Sequence, residues 1–215
     1  MDLRTVSVFL DFDGTITTVD TGVHLLDRLA PKSWRQIEEL YKSGRIGSRE
    51  CMVRQWQLLP RDRSAIEATV AEVPLDEGVV DLVDHLRSGG AEVTILSDGY
   101  GFRAEEVGRE LGVAVITNGI DWDAHEVLFP NGSGTCACAD CGTCKRAPIE
   151  AAQRRGRRTV LVGDGASDSK AAAAADVVFA KAELARWCRS NGIGFRPFDC
   201  LADVLVAMRV DDRDG

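Results

Sequence analysis

The feature that most constrains this chain is a pair of acidic residues at the end of an apolar run. Residues 6–10 (VSVFL) are mostly β-branched, aliphatic or aromatic, which is typical of a buried parallel strand. Asp11 and Asp13 follow directly, and their side chains project from the same side of an extended backbone. Two like charges so close need a cation or a shared proton. Because open α/β sheets bind ligands at the carboxyl ends of their strands, we expect a binding site here.

Helical patterns replace strand patterns directly after this pair. Between residues 17 and 74 the apolar residues recur at spacings of three and four, with Ser48 as a candidate helix cap, which is typical of amphipathic helices. Later, helical segments alternate with strand-like runs at residues 93–96, 113–117, 159–162 and 177–179. This alternation predicts an α/β fold built on a doubly wound parallel sheet. The predicted core domain comprises residues 1–16 and 75–215, and residues 17–74 form a small all-helical insertion after the first strand.

Composition disfavours several kinds of partner. The chain has 215 residues and a formal net charge of −8 at pH 7, which disfavours nucleic acids and anionic membranes. No run approaches the roughly 20 apolar residues of a membrane span, and the first residues do not have the pattern of a signal peptide. We therefore expect a cytoplasmic protein, a monomer or a homodimer, whose partner is a small molecule.

A second acidic motif follows a later strand-like run. Residues 163–168 (GDGASD) place Asp164 directly after the run at 159–162, and the glycines permit a tight turn. If the two strands are neighbours, Asp164 converges with Asp11 and Asp13. Such a cluster suits Mg²⁺, which takes one or two carboxylates together with waters and a substrate phosphate.

Two further polar positions lie between the acidic motifs. Ser97, followed by Gly99, comes directly after the run at 93–96, where a hydroxyl and turn amides can hold phosphoryl oxygens. Lys145 precedes a helical segment and can neutralise charge on a transferring phosphoryl group. The competing interpretations are a helix cap for Ser97 and a solvated surface lysine for Lys145.

The order of these four motifs resembles that of the haloacid dehalogenase superfamily of phosphatases. The resemblance implies a Rossmann-like core with a helical cap, and a Mg²⁺-dependent hydrolase of small phosphorylated metabolites. Asp11 would be the nucleophile that forms an aspartyl-phosphate. Asp13 would act as general acid and then general base, with its main-chain carbonyl on the metal. Asp11 and Asp164 would bind the metal through their side chains, and Ser97 and Lys145 would fix the phosphoryl group.

The same resemblance suggests supporting residues. Asp168 would hold a metal-bound water or the catalytic lysine, and Gly99 would contact the substrate. Within the insertion, Asp20 and Arg54 resemble the substrate contacts of phosphoserine-phosphatase-like members. The competing interpretations are a helix start at Asp20 and a surface ion pair of Arg54 with Glu50, four residues earlier.

Several functions remain open at this stage. Residues 141–145 (CGTCK), 163–172 and 175–181 resemble the enol-phosphate phosphatases of methionine salvage. Phosphoserine or another small metabolite, including one of secondary metabolism, is the alternative substrate. The rivals are a phosphotransferase or mutase that uses the same aspartyl-phosphate, and a non-catalytic phosphate-binding protein of the same fold. The presence of both Asp11 and Asp13 argues against the binding protein, which needs no paired acid.

Four of the seven cysteines form a cluster directly before Lys145. Four thiolates can hold one tetrahedral Zn²⁺, so a structural zinc site is one hypothesis. Redox-active cysteines and reduced thiols packed beneath the loop are the others. The clustered residues are Cys136, Cys138, Cys141 and Cys144.

Overall fold

The computed structural model describes residues 2–132 and 140–213 of the chain. Within that part, the strands are β1 (Val6–Leu10), β2 (Glu92–Leu96), β3 (Ala114–Ile116), β4 (Gly119–Asp121), β5 (Glu126–Leu128), β6 (Arg158–Gly163), β7 (Val177–Ala180) and β8 (Arg196–Pro197). The helices are α1 (Thr21–Leu29), α2 (Trp34–Lys42), α3 (Ser48–Trp56), α4 (Arg63–Ala71), α5 (Val79–Ser88), α6 (Phe102–Leu111), α7 (Arg146–Arg154), α8 (Ser169–Ala172), α9 (Ala182–Asn191) and α10 (Leu201–Arg213).

Six of these strands form a parallel sheet in the order β3-β2-β1-β6-β7-β8. The predicted doubly wound parallel sheet is therefore confirmed. Strand β1 lies at its centre, and Leu10 is in register with Ile95 on one side and Val162 on the other. The strand order reverses between β1 and β6, and this switch point is where sheets of this type bind ligands. It puts the residues that follow β1 and β6 at the same edge.

Two apolar layers cover the faces of the sheet. Val8 belongs to the layer that includes α5, α6 and α10, whereas Phe9 belongs to the layer formed with α7, α8 and α9. Adjacent residues of one strand point to opposite faces, and all five residues of β1 are buried. A strand covered on both faces explains why the sequence run is continuously apolar rather than alternating.

A third apolar cluster lies within the insertion. It is built from α1, α3 and α4 and includes Trp56 and Ile66, both almost fully buried. The hairpin β4–β5 also contributes to it, because Trp122 packs edge-on against Trp56 with ring centroids 5.7 Å apart. The insertion therefore has a partly buried β-hairpin among its packing partners, which the sequence pattern did not predict.

The chain leaves the core for the insertion and returns to it at adjacent points, which two hydrogen bonds hold together. The amide of Thr18 donates to the carbonyl of Pro74 at 3.0 Å, and the amide of Asp76 donates to the carbonyl of Ile16 at 2.8 Å. These hydrogen bonds lie beside the predicted limits of residues 17–74, and a distinct helical domain with those limits stays a prediction. In the part of the chain that the structure describes, no helix combines the length and the apolar character needed to cross a bilayer.

Candidate active site

The first acidic residue, Asp11, lies buried at the carboxyl end of β1. Its amide donates to the carbonyl of Val162 on β6, which anchors it at the switch point. Its Oδ1 accepts from the amide of Phe12 at 2.7 Å and from Nζ of Lys145 at 2.6 Å. Both of these hydrogen bonds use Oδ1 and not Oδ2. That oxygen is available to attack an electrophile.

Asp13 is held two residues further on by a tight turn. Its Oδ1 accepts from both the amide and the hydroxyl of Thr21, at the start of α1. Its Oδ2 lies 3.5 Å from the hydroxyl of Ser97. A Cβ on Gly99 would lie only 2.5 Å from the same oxygen, so the absence of a side chain there leaves room for Oδ2. The buried Ser97 hydroxyl also accepts from the amide of Gly99 at 2.9 Å.

Asp164 follows β6 and faces the turn that carries Asp13. Its Oδ1 accepts from the hydroxyl of Thr15 at 2.7 Å. The turn is possible because Gly14 has a φ of 78° and because a Cβ there would lie 2.5 Å from Oδ2 of Asp164. Gly14, in the first acidic motif, thus leaves room for the carboxylate of Asp164, in the second.

Lys145 connects the two acidic motifs. Its Nζ donates to Asp11 at 2.6 Å and to Oδ1 of Asp168 at 2.8 Å, and all three side chains are buried. Burial alone would lower the pKa of Lys145, but the two carboxylates outweigh it and raise the pKa above its ordinary value. The lysine is therefore held as a cation. Asp168 is fully used, because its Oδ2 accepts from the amide of Gly165.

The carboxylates of this site repel one another. Burial, and then the charge of Asp168, raise the pKa of Asp11 well above its ordinary value, against the opposing effect of Lys145. Burial also raises the pKa of Asp164, although the hydrogen bond from Thr15 opposes this. Both carboxyl groups are therefore harder to ionise than in water, chiefly because they are buried. A bound cation would favour their ionised forms.

The geometry fits a hard divalent cation such as Mg²⁺. Among the described residues, oxygens of Asp11, Asp164 and Asp168 lie within 4.8 Å of one another. Asp168 is committed to Lys145 and Gly165, so it suits a supporting role better than direct coordination. Carboxylate oxygens are the ligands that Mg²⁺ prefers, and this ion keeps several of its waters.

These groups open onto a cavity of about 770 Å³ between the sheet and the insertion. Asp11, Asp13 and Asp164 line its sheet side, as do Gly99 and Lys145. Helices α1, α2 and α3 supply its other wall. The lining residues from these helices include Val23, Leu26, Glu38, Met52 and Gln55. The cavity is large enough for a small metabolite.

Asp20 stands between these two walls. Its Oδ1 accepts from the amide of Val23 at 2.8 Å and caps α1. Its carboxylate faces the cavity and is exposed there. Its partial enclosure between the two walls, and then the charge of Asp13, raise its pKa above the ordinary value. The residue is both a helix cap and a lining residue.

The structure does not bring Arg54 to this cavity. The side chain lies on the outer face of α3, exposed, in an ion pair with Glu50, and it is not among the cavity's lining residues. Helical phase is the reason: Cys51, Met52 and Gln55 occupy the inward face. In this structure Arg54 forms a surface ion pair and Gln55 takes the inward position, and the substrate contact expected of Arg54 stays a prediction.

Sequence reasoning missed the role of Asp98. Its Oδ2 accepts from the hydroxyl of Ser48 on the insertion, and its Oδ1 accepts from the amide of Thr143 and from Nδ2 of Asn118. Asp98 thus joins α3 to the loop that leads to Lys145. The sequence signal for this role was the position of Asp98 directly after Ser97. A simple turn explained that position equally well.

The cysteine cluster lies only partly within the described residues. Cys136 and Cys138 fall outside them, so the zinc hypothesis concerns positions that the structure does not describe. Cys144, which directly precedes Lys145 in the chain, is buried, and Cys141 lines a smaller cavity. In the described ranges, the metal-spaced cluster is formed by aspartates and includes neither of these cysteines.

Comparison with known proteins extends over most of the chain. Residues 8–173 match the family described as haloacid dehalogenase-like hydrolase. A Brevibacillus brevis protein is 30% identical over 205 residues, which cover 92% of this chain and 92% of that protein. An Exiguobacterium protein is 27% identical over 211 residues, covering 94% and 96% respectively. Both relatives are named 2-hydroxy-3-keto-5-methylthiopentenyl-1-phosphate phosphatase.

Solved structures show the same fold. The unliganded structure of a probable phosphoserine phosphatase from Vibrio cholerae superposes with a TM-score of 0.73 at 18% identity, over 99% of this chain and 68% of that chain. At this identity the likeness concerns the fold alone.

Proposed function

Because this chain belongs to the haloacid dehalogenase-like hydrolases and is a phosphatase among them, we propose that it hydrolyses a small phosphorylated metabolite through a phosphorylated Asp11. The observation that carries the proposal is the placement of Asp11. It is buried beside the Lys145 cation, near Asp13 and Asp164, at the bottom of a cavity of metabolite size. This arrangement suits phosphoryl transfer, which needs a nucleophile, an acid and compensating positive charge.

In the first step, Oδ2 of Asp11 attacks phosphorus and the ester P–O bond breaks. The leaving oxygen takes a proton from Oδ2 of Asp13, the oxygen that Thr21 does not hold. Thr21 and Gly99 keep that carboxyl aimed into the cavity. Lys145 and Ser97 fix the transferring phosphoryl group. The alcohol leaves and an acyl phosphate remains on Asp11.

In the second step, Asp13 removes a proton from water and the water oxygen attacks phosphorus. The bond between phosphorus and the Asp11 oxygen breaks, which releases inorganic phosphate and restores the carboxylate. The same residue serves as acid and then as base. Asp168 keeps Lys145 in place throughout through its 2.8 Å contact.

Mg²⁺ would be held by side-chain oxygens of Asp11 and Asp164 and by the main-chain carbonyl of Asp13. Bound there, it would offset the charge of the nucleophile and of the phosphoryl oxygens. The carboxylate spacing within 4.8 Å and the raised pKa of Asp11 support this assignment. Thr15 orients Asp164 through its hydroxyl.

For the substrate we favour the enol-phosphate of methionine salvage, the compound named for both relatives. Val23, Leu26 and Met52 on the insertion wall suit an apolar methylthio end. Phosphoserine carries a carboxylate, and Arg54, which the resemblance assigns to the substrate, points away from the cavity. Such a carboxylate would have to pair with Lys42, Lys181 or Arg186 of the lining instead. The insertion acts as a cap that excludes bulk water while the acyl phosphate exists.

The first test is hydrolysis of p-nitrophenyl phosphate with Mg²⁺. We expect Asp11→Asn to lose activity by more than about 10³-fold, as removal of a nucleophile does elsewhere, while circular dichroism shows a folded protein. The matched control is Asp123→Asn, the same change at an exposed hairpin residue, which should retain wild-type activity. A folded Asp11→Asn protein with full activity would refute the proposed nucleophile.

A second test separates the candidate substrates. Phosphate release is measured with the methionine-salvage enol-phosphate, with phosphoserine and with other small phosphomonoesters at equal concentration. We expect the highest kcat/KM for the enol-phosphate. Release with water as the sole acceptor also distinguishes a phosphatase from a phosphotransferase. A preference for phosphoserine would overturn the substrate assignment and leave the chemistry standing.

A further inference from the structure

One hydrogen-bonded pair on the insertion wall is not used by the proposed chemistry. Glu38 comes from α2 and Gln55 from α3, and both line the cavity. Nε2 of Gln55 donates to Oε2 of Glu38 at 3.0 Å. The pair therefore bridges two helices on the insertion wall of the cavity. When the phosphate of a substrate lies at Asp11, its organic part faces this wall.

The partner of Gln55 fixes which of its atoms can meet a ligand. An ionised carboxylate only accepts hydrogen bonds, so the amide nitrogen of Gln55 must face Glu38. The side chain is 94% enclosed, with 6% exposed, and no described residue donates to its Oε1. An acceptor held in this way on a cavity wall suits a ligand that brings a hydroxyl donor.

The same wall carries negative charge. The Glu38 side chain is only 20% exposed, and its counter-ion Lys42, 3.4 Å away, is 67% exposed and therefore strongly screened by water. Asp20 adds a second acidic group to the lining. Among the described residues, the basic side chains that line the cavity are Lys42 on this wall and Lys145, Lys181 and Arg186 on the core side, whereas Arg54 faces outward. A carboxylate placed against this wall would therefore meet Glu38 and Asp20, with the exposed Lys42 as the cation beside them.

We propose that Glu38 and Gln55 select substrates whose organic part carries a hydroxyl group and no carboxylate. This inference rests on the proposed phosphatase function and narrows its substrate class. Gln55 accepts a hydrogen bond from the hydroxyl, and Glu38 both orients Gln55 and repels anionic groups. The pair thus determines specificity and takes no part in the bond-breaking steps.

The test uses three commercial phosphomonoesters with Mg²⁺: glycerol 1-phosphate, 3-phosphoglycerate and p-nitrophenyl phosphate. Each kcat/KM is divided by that for p-nitrophenyl phosphate, which carries neither a hydroxyl nor a carboxylate. We expect Glu38→Gln to raise the 3-phosphoglycerate ratio about fivefold, and Gln55→Leu to lower the glycerol 1-phosphate ratio about fivefold. A fivefold change corresponds to ~1 kcal/mol.

The matched control is Glu39→Gln, the same change on α2 at an exposed residue that does not line the cavity. Thermal unfolding establishes that each variant is folded. If the ratios of both cavity variants stay within twofold of those of Glu39→Gln, the inference is overturned. If instead the wild-type protein does not hydrolyse p-nitrophenyl phosphate at all, the proposed function itself fails.

Discussion

At the scale of single residues, a tyrosine hydroxyl at the cavity lacks a hydrogen-bond partner among the described residues. The hydroxyl of Tyr100 is buried, and no described group forms a hydrogen bond with it. Its ring packs against Trp56 with centroids 5.0 Å apart. Burial, and then the fields of Cys51 and Asp20, raise the pKa of this hydroxyl well above its ordinary value. The phenol therefore stays neutral, and its unpaired hydroxyl costs free energy of folding.

We expect Tyr100→Phe to stabilise the ligand-free protein by about 1 kcal/mol, because it removes the unpaired hydroxyl and keeps the ring. For a chain of this size the corresponding rise in Tm is about 2–4 °C. Calorimetry of the two proteins measures it. Thr117→Val is the control, since Thr117 also has a buried unpaired hydroxyl but does not line the large cavity. A lower Tm for Tyr100→Phe would contradict the prediction.

At the scale of elements, the link between insertion and core depends on the start of α3. Ser48 was a candidate helix cap, but Gly47 occupies the cap position. The Ser48 hydroxyl instead donates to Asp98 at 2.7 Å and accepts from the amide of Gly142 at 3.1 Å. The pattern could not reveal this, because a serine before a helix forms a cap or a tertiary contact with the same local sequence.

Ser48→Ala tests that link. It removes one hydrogen bond to the partly buried Asp98 carboxylate, which should destabilise the protein by about 1.5–3 kcal/mol. We expect a fall in Tm of about 3–12 °C, together with reduced turnover, because the loop that leads to Lys145 loses a partner. Ser64→Ala, at an exposed position of α4, is the control. Equal Tm values for the two variants would show that the link carries no stability.

Other elements divide into those that the sequence predicted and those that it did not. Five of the six sheet strands were predicted because their apolar runs end at turn residues, and the runs at 93–96 and 177–179 lie within β2 and β7. The two-residue strand β8 was not predicted. The hairpin β4–β5 was missed, since its strands are three residues long and half exposed, with no alternating pattern to mark them. His125, at a φ of 60°, lies in its turn without the usual glycine.

The candidate site, like the secondary structure, was predictable from the sequence in part. Asp11, Asp13, Asp164 and Lys145 come together at the switch point because each motif directly follows a strand or precedes a helix of the core. The sequence could not show that Arg54 faces solvent here, because one residue of helical phase decides whether a side chain faces a cavity or solvent. Such phase depends on tertiary packing of the insertion, which local sequence does not specify.

At the scale of the whole molecule, stability and metal binding are coupled through the acidic cluster. The folded-state pKa values of Asp11 and Asp164 lie above their ordinary values. A raised folded-state pKa contributes stability that is present below the unfolded value and is lost as pH rises through the folded one. Without a cation, the cluster should therefore make the protein less stable at pH 8 than at pH 5.5.

Mg²⁺ should restore that stability, since it binds the native carboxylates and not the unfolded chain. At a concentration about 100 times its dissociation constant the gain is about 2.7 kcal/mol, or roughly 5–10 °C in Tm. We expect the gain to be larger at pH 8 than at pH 5.5, because protons compete for the same oxygens, and to disappear with excess EDTA. Thermal unfolding of Asp164→Asn should show a much smaller gain, whereas Asp123→Asn should match wild type. If Asp164→Asn gained as much as wild type, the ion would have to bind away from the cluster at the ends of β1 and β6.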